Sequence, residues 1–253
     1  MSQTRVALVT GAGRGIGRST AICLKEHGAT VVGVSRTEAD LASLQREAGV
    51  EYVVGSVATQ EGCEAITSET LARFGQIDIL VNNAGIDSGE ERPVWDQDPA
   101  LWSRAFAVNL DGAFHMIRLT SAGMVERGWG RIVAVSSTAG EVGGPRLSAY
   151  CASKHGLLGL IRAAAQDVAP HGVTCNAVCP GWVRTPMSDT TTEREAERRG
   201  VSTDQIWGER AAESPAGRVV TAEEVAESIA FLTSDAARGI NGEALTISLG
   251  SVW

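Results

Sequence analysis

The sequence predicts an α/β protein with a doubly wound parallel sheet of about seven strands and helices on both faces. Seven short apolar segments, each suited to a buried strand, alternate with longer segments of helical periodicity along the 253 residues. Such alternation is typical of parallel strands that are joined by helical crossovers. The chain shows no linker, low-complexity tract or internal repeat, so we expect one domain over residues 1–253.

Composition excludes several classes of protein. Hydrophobic residues make up 43% of the chain and charged residues 21%, as in ordinary soluble proteins. The net charge of −8, without a dense Lys/Arg block, argues against a nucleic-acid partner. No apolar run approaches the roughly 20 residues that span a membrane, and the first one is too short for a signal peptide. Five scattered cysteines and four unclustered histidines favour a cytoplasmic protein with free thiols and no metal.

The apolar runs and helical periodicity assign approximate positions to the elements. Strands are expected over 5–10, 30–36, 51–57, 77–81, 130–136, 172–178 and 243–249. Helices are expected up to residue 28 and over 38–48, 60–74, 147–169 and 221–234, with one long or broken helix over 100–127. The helix over 221–234 begins with the capping box Thr221-Ala222-Glu223-Glu224. Residues 182–215 are polar and irregular, which is typical of a lid or binding loop.

A glycine-rich turn separates the first strand from the first helix. It reads Thr10-Gly11-Ala12-Gly13-Arg14-Gly15-Ile16-Gly17. Glycines in this context let the backbone approach a pyrophosphate, and the helix N-terminus supplies N–H donors and a partial positive charge. The strict G-x-G-x-x-G spacing is absent, and a glycine turn without a ligand is the alternative. The turn therefore predicts a dinucleotide site beside the first strand.

The end of the second strand indicates which dinucleotide is bound. In a doubly wound nucleotide-binding sheet this end meets the adenosine ribose, where an acidic residue binds the hydroxyls and favours NAD. Here Ser35 and Arg36 follow the strand instead. Arg36, with Arg14 in the turn, can bind a 2′-phosphate through charge-assisted hydrogen bonds. We therefore predict NADP, with NAD as the alternative if Arg36 is only a solvated residue before a helix.

Tyr150 and Lys154 are the candidate proton-transfer pair. Their spacing places both side chains on one face of a helix, one turn apart. A nearby ammonium group lowers the pKa of a tyrosine, which can then exchange a proton with an alcohol oxygen. Ser137 lies thirteen residues before Tyr150, at the end of an apolar run. Taken alone, the pair is also compatible with a solvated lysine beside a half-buried tyrosine.

Together with the tetrapeptide Asn82-Asn83-Ala84-Gly85, these motifs resemble the short-chain dehydrogenase/reductase family. The resemblance extends from Thr10 to Gly250. It implies a Rossmann-like fold and hydride transfer between a nicotinamide cofactor and a carbonyl or alcohol carbon.

The resemblance also implies the roles of the catalytic residues. Tyr150 is expected to act as the general acid and base, and Lys154 to lower its pKa and hold the nicotinamide ribose. Ser137 is expected to bind the substrate oxygen, with Ser136 as its rival. Asn109 is expected to support a water relay, although a mid-helix asparagine that bonds locally is the alternative.

The same resemblance implies a set of cofactor-binding residues. Thr185 is expected to fix the nicotinamide face. Ser56 departs from the family, which usually has an aspartate there against the adenine. The full set is Gly11, Arg14, Gly15, Ile16, Gly17, Ser35, Arg36, Ser56, Val57, Asn83, Ala84, Gly85, Tyr150, Lys154, Pro180, Gly181, Val183 and Thr185.

The substrate is expected to be a small-molecule carbonyl or alcohol compound, free or bound as a thioester to a carrier. Residues 123–128 and 201–204 resemble polyketide and β-ketoacyl reductases, which favours a β-keto thioester or a bulky ketone. Trp182, Met187 and Trp207 can face such a substrate or simply pack the lid. Residues 86–91 depart from the Pro-Gly-Gly run that aromatic polyketide reductases usually carry there.

Two other functions and two assemblies remain open on the sequence. One function is an NAD-dependent catabolic alcohol dehydrogenase of the 3-hydroxybutyrate or diol type, and the other is a non-catalytic binding protein with the same fold. The resemblance implies a homodimer or homotetramer built on the helices over 100–127 and 147–169. Trp253 can pack on its own chain or on a neighbouring subunit.

Overall fold

The computed structural model describes residues 4–87 and 92–251. Its strands are β1 (Val6–Thr10), β2 (Thr30–Ser35), β3 (Glu51–Val54), β4 (Ile79–Asn82), β5 (Gly130–Val135), β6 (Val173–Pro180) and β7 (Ala244–Ile247). All pair in parallel in the order β3-β2-β1-β4-β5-β6-β7. The order reverses between β1 and β4, and ligands of such sheets bind at the carboxyl ends of the strands beside this point. The predicted fold class is confirmed.

The α-helices of the described residues lie on both faces of the sheet. They are α1 (Gly15–Glu26), α2 (Glu38–Ala48), α3 (Gln60–Phe74), α4 (Pro99–Phe106), α5 (Gly112–Arg127), α6 (Ser148–Val168), α7 (Pro186–Arg199), α8 (Thr203–Ala212) and α9 (Ala222–Thr233). A π-helical segment, Ala107–Asp111, joins α4 to α5. None of the helices described is both long and apolar enough to cross a membrane.

Alternating side chains of the central strands form two hydrophobic cores. In β1, Val6 and Leu8 belong to the core under α3, α5 and α6, whereas Ala7 and Val9 belong to the core under α1, α2 and α9. Every residue of β1 and β6 is buried. A strand covered on both faces needs apolar residues on both, which explains the continuous apolar runs in the sequence.

Several predicted elements differ from the structure. The third strand ends at Val54, before the predicted residue 57, because a turn follows in which Ser56 Oγ accepts a hydrogen bond from Ala58 N at 3.3 Å. The helix over 100–127 is broken by the π segment. The capping box of α9 is confirmed.

The segment over 182–215 is not irregular, because it contains α7 and α8. Thr185 and Ser188 form a capping box at the start of α7, and Pro186 occupies its first turn. The Ser202 hydroxyl accepts a hydrogen bond from Gln205 N at the start of α8. Both helices are rich in charged residues, so their periodicity is weak and only the capping residues indicate them. Ser88, Gly89, Glu90 and Glu91 of the departing segment over 86–91, and also Trp253, lie outside the described residues.

Candidate active site

The carboxyl ends of the strands open into one cavity of about 730 Å³. This volume is typical of sites that enclose small molecules. Of the predicted catalytic and cofactor-binding residues, all but Gly17 and Asn109 line the cavity. The topology thus brings together residues from the glycine turn, from the ends of β2 to β6 and from α6.

Gly17 packs closely against the residues that fix the glycine turn. A side chain at this position would overlap Asn83 Nδ2 and the carbonyl oxygen of Gly11. Asn83 Nδ2 donates to the carbonyl oxygens of Thr10 and Gly11 at 2.9 and 3.2 Å, and Thr10 Oγ1 accepts from the Asn83 and Ala84 backbone N–H groups. Gly17 therefore allows α1 to pack against the residues that fix the turn.

The start of α1 fits a dinucleotide pyrophosphate. Arg14 precedes the helix, and no side chain caps its first turn, so its N–H groups and partial positive charge are directed to the cavity wall. Gly11 and Gly15 have φ values of +67° and +55°, which favour glycine. A Cβ atom on Gly15 would lie 3.2 Å from the Thr185 side chain, so the cleft is narrow there.

Tyr150, Lys154 and Ser137 meet at the centre of the cavity. Lys154 is 4% exposed, and its Nζ donates to the Val135 carbonyl oxygen at 2.8 Å. The same Nζ lies 5.7 Å from the centroid of the Tyr150 ring. Ser137 and Tyr150 line the same cavity, and the Ser137 side chain acts to lower the pKa of Tyr150. Ser137 Oγ also accepts from Ala139 N at 3.1 Å, which fixes the serine at the start of a short 3-10 turn.

The electrostatics of the pair differ from the sequence-based expectation. Burial raises the pKa of Tyr150 to about 12, although the hydrogen bond with Ser137 lowers it, and the negative charge of Asp87 raises it further. Burial also lowers the pKa of Lys154 to about 8. Desolvation is the largest effect on both groups, and the hydrogen bond of the Lys154 ammonium goes to Val135. The predicted effect of Lys154 on the Tyr150 pKa stays a prediction.

Ser136 is engaged elsewhere. Its Oγ donates to the Lys154 carbonyl oxygen at 3.2 Å, and the residue is buried. Ser137 lines the cavity and is less buried, so it is the better placed of the two serines for a substrate oxygen.

Asn109 does not line the cavity but is hydrogen-bonded to residues beside it. Its Nδ2 donates to the Ile86 carbonyl oxygen at 2.9 Å and to Ser153 Oγ at 3.0 Å, and its Oδ1 accepts from Ile86 N at 2.8 Å. The alternative of local helix bonding is therefore wrong. Asn109 lies in the π segment, a distortion of helical hydrogen bonding that is frequent at functional sites. The predicted water relay stays a prediction.

The adenosine end of the cavity holds both predicted arginines. Arg36 is exposed beside Ser35, which ends β2. Arg14 Nη2 donates to Asp40 Oδ2 at 2.9 Å. Asp40 could not be selected from the sequence, because an acidic residue in the first turn of a helix is common for its effect on the helix dipole alone.

A family comparison identifies the protein class. A family model described as enoyl-(acyl carrier protein) reductase matches residues 11–251, nearly the whole chain. The chain belongs to the short-chain dehydrogenase/reductase family. It is therefore an oxidoreductase of that family, as its motifs predict.

Individual relatives match over almost their full length. The chain is 40% identical over 256 residues to a ketoacyl reductase assigned to the monensin polyketide synthase of Streptomyces virginiae, covering 98% of this chain and 97% of the relative. It is 38% identical over 248 residues to D-beta-hydroxybutyrate dehydrogenase of Cupriavidus necator, covering 96% and 95%. The crystal structure of an actinorhodin polyketide ketoreductase variant with NADPH matches at 37% identity and a TM-score of 0.91, covering 100% of both chains.

The predicted lid residues of this short-chain dehydrogenase/reductase have different surroundings. Trp182 and Met187 line the cavity, whereas Trp207 is buried and packs the lid. The Arg210 guanidinium lies 3.7 Å from the centroid of the Trp182 ring and 5.0 Å from that of Trp207. Arg210 also donates to Glu195 Oε2 at 2.9 Å. Sequence reasoning missed Arg210, because an arginine in a polar helix normally lies in solvent.

Proposed function

We propose that this short-chain dehydrogenase/reductase uses NADPH to reduce a ketone to a secondary alcohol. One observation carries the proposal: Tyr150, Ser137 and the buried Lys154 line one cavity that also reaches the glycine turn. This arrangement supplies a proton donor, a second hydrogen-bond donor and a cation on one side of a dinucleotide-sized cleft.

The proposed mechanism assigns the proton to Tyr150. Tyr150 carries its proton at neutral pH, and its pKa of about 12 makes transfer of that proton depend on a group that stabilises the tyrosinate. The bound nicotinamide supplies the hydride. Tyr150 and Ser137 donate hydrogen bonds to the carbonyl oxygen as negative charge develops on it, and such donors stabilise that charge. Tyr150 then transfers its proton, and the Lys154 ammonium favours the tyrosinate that results.

The cofactor is proposed to extend from Lys154 to Arg36. The first turn of α1 and the glycines before it face the pyrophosphate, and Arg36 with Arg14 binds the 2′-phosphate. Lys154 and Thr185 hold the nicotinamide end. The other members of the proposed set are Ile16, Gly17, Ser35, Ser56, Val57, Asn83, Ala84, Gly85, Tyr150, Pro180, Gly181 and Val183.

The proposed substrate is a β-keto thioester or a bulky ketone. Trp182 and Met187 give the lid side of the cavity an apolar wall, and stacking on the buried Arg210 fixes the Trp182 ring. Residues 182–215 act as the lid in this proposal. A ketoacyl reductase and a polyketide ketoreductase among the similar proteins also support it.

A second candidate is an NAD-dependent alcohol dehydrogenase that oxidises 3-hydroxybutyrate or a diol. The observation that favours it is the 38% identity to D-beta-hydroxybutyrate dehydrogenase of Cupriavidus necator. A non-catalytic binding role has less support, since Ser137, Tyr150 and Lys154 all line one cavity.

Nicotinamide absorbance tests both candidates directly. Purified protein is incubated with NADPH or NADH and a β-ketoacyl thioester or a bicyclic ketone, and with NADP or NAD and 3-hydroxybutyrate or a cyclic diol. Faster reduction with NADPH, reversed toward NADH in Arg36→Gln, is the expected result. Oxidation of the small alcohols with NAD, unchanged in Arg36→Gln, would overturn the proposal in favour of the second candidate.

We also propose that the protein forms a homodimer or a homotetramer. Trp102 on α4 and Phe114 on α5 are large apolar side chains that are exposed on the subunit. Phe231 on α9 and Leu245 on β7 are also exposed. Large exposed apolar side chains support subunit contacts, and their presence on four different elements suits a tetramer with more than one kind of interface.

A further inference from the structure

Arg14 forms an ion pair at the place where the proposed function needs a cation for the 2′-phosphate. Its Nη2 donates to Asp40 Oδ2 at 2.9 Å. The Arg14 side chain is 61% exposed and that of Asp40 is 31% exposed, so the pair lies at the surface beside the cavity. The carboxylate therefore shares the guanidinium with any anion that Arg14 binds.

The backbone holds Asp40 in this position. Arg18, on α1, donates to the carbonyl oxygens of both Gly13 and Asp40 at 3.4 and 3.3 Å, and it also contacts Ser43 and Glu47. These bonds tie the first turn of α2 to the glycine turn. Gly13 allows the close approach, since a Cβ atom there would lie 3.0 Å from Asp40 Cβ. The Asp40 carboxylate is thus a fixed part of the adenosine end.

We propose that Asp40 is a specificity-determining residue that weakens recognition of the 2′-phosphate and so keeps NAD usable. The inference rests on the proposed binding of the 2′-phosphate by Arg36 and Arg14. Two effects act in the same direction. Asp40 occupies one Arg14 donor, and its negative charge repels a phosphate monoester, which carries about −1.5 to −2 at neutral pH.

The first turn of α2 carries two acidic residues, and only one of them is paired with Arg14. Asp40 is the third residue of α2, whose first turn favours a negative charge through the helix dipole. Glu38 is the first residue of the same turn and is exposed, but the ion pair to Arg14 is made by Asp40. The two acids therefore provide a matched comparison, in which only one is paired with the phosphate-binding cation.

The test measures binding of two small probes by titration calorimetry. Adenosine 2′,5′-bisphosphate carries the 2′-phosphate, and adenosine 5′-monophosphate lacks it. Wild type, Asp40→Asn and the control Glu38→Gln are compared, with Asp40→Asn also in an Arg14→Gln background. We expect Asp40→Asn to tighten the bisphosphate about 3- to 10-fold and to leave the monophosphate within about 2-fold. The gain should be smaller when Arg14 is absent, because only the charge repulsion between Asp40 and the phosphate then remains. Added salt should shrink the gain.

The outcomes separate this inference from the proposed cofactor preference. An unchanged or weaker bisphosphate affinity in Asp40→Asn overturns the inference, as does an equal gain in Glu38→Gln or in the Arg14→Gln background. If wild type binds both probes equally and Asp40→Asn creates a preference, the role of Asp40 stands and the NADP preference is wrong. If neither protein prefers the bisphosphate, both proposals are wrong.

Discussion

Lys154 is a buried charge whose effect on stability can be separated from its role in the site. Burial lowers its pKa to about 8, against about 10.4 in an unfolded chain. Between these values the unfolded chain binds more protons than the folded one, so the free energy of unfolding rises as pH rises through this window. Below pH 8 the lysine is charged in both states, and the full penalty of burying the charge is present.

Lys154→Met should therefore stabilise the protein at pH 7. Removal of the charge should raise the free energy of unfolding by about 3 kcal/mol. Loss of the hydrogen bond to the Val135 carbonyl oxygen should lower it by about 1 kcal/mol. Urea unfolding at pH 7 and pH 9.5 measures the difference, which should shrink at the higher pH. The exposed Lys25 provides the control, since Lys25→Met should change stability little at either pH. A variant less stable than wild type at pH 7 contradicts the argument.

Tyr150→Phe tests the proposed proton donor. Loss of the hydroxyl should lower kcat by about 10²- to 10⁴-fold, the range for general acid catalysis. The ring and Lys154 remain, so the dissociation constant for NADPH should stay within about 3-fold. Stopped-flow reduction and fluorescence titration measure the two quantities. Turnover within a few-fold of wild type would sink the assignment.

At the level of residues, spacing identified the side chains that meet in the cavity but not their environment. Tyr150 and Lys154 follow from a helical spacing, and Ser137 from its place at a strand end. Their pKa directions depend on burial, which spacing does not encode. Asp40 and Arg210 were missed because their partners are distant in sequence.

Among the helices, glycines with different surroundings should respond in opposite ways to alanine. In α1 a Cβ atom on Gly17 overlaps Asn83, so Gly17→Ala should destabilise the protein by more than about 2 kcal/mol. In α8, Gly208 is exposed with no atom near its Cβ position, so Gly208→Ala should stabilise by about 0.5 to 1 kcal/mol. Chemical unfolding of both variants checks the signs. If both substitutions changed the free energy of unfolding by the same amount, helix propensity alone would account for the result.

The elements that could be predicted are those with strong apolar patterns. The five central strands follow from continuous apolar runs, because each is covered on both faces. The π segment between α4 and α5 has no such signal, and the bond from Ile86 to its Asn109 joins residues that are distant in sequence. The α7 and α8 helices were missed because their charged residues hide the periodicity.

At the scale of the whole molecule, the proposed assembly predicts that Phe114 contributes to a subunit contact and that Val54, which is equally exposed, does not. Phe114 on α5 and Val54 on β3 are 46% and 47% exposed. Phe114→Glu places a charge in the proposed subunit contact and should lower the molar mass measured by light scattering. Val54→Glu, on the other side of the sheet, should leave it unchanged. A monomeric wild type, or equal masses for all three proteins, contradicts the proposal.

The overall topology, unlike the assembly, could be predicted as a whole. Alternating strand and helix signals allow few arrangements of a parallel sheet, and the family motifs then select one. The cavity position follows from the strand order. Which residues of the proposed lid face the cavity could not be predicted. Trp182 and Trp207 both lie in polar sequence, and they differ only in their packing in the folded chain.

The strand order also predicts that the cleft forms last during folding. β1 pairs with β2 from the nearby sequence, but three helices and two strands separate β1 from β4 in the chain, so Leu8 meets Leu80 only after they are bridged. Loop closure of this kind is slow, so the seam between β1 and β4 is expected to form late in folding. In the proposed binding mode a dinucleotide bridges that seam. It should therefore protect the amides of β1 and β4 from hydrogen exchange more than those of β3, and it should slow unfolding.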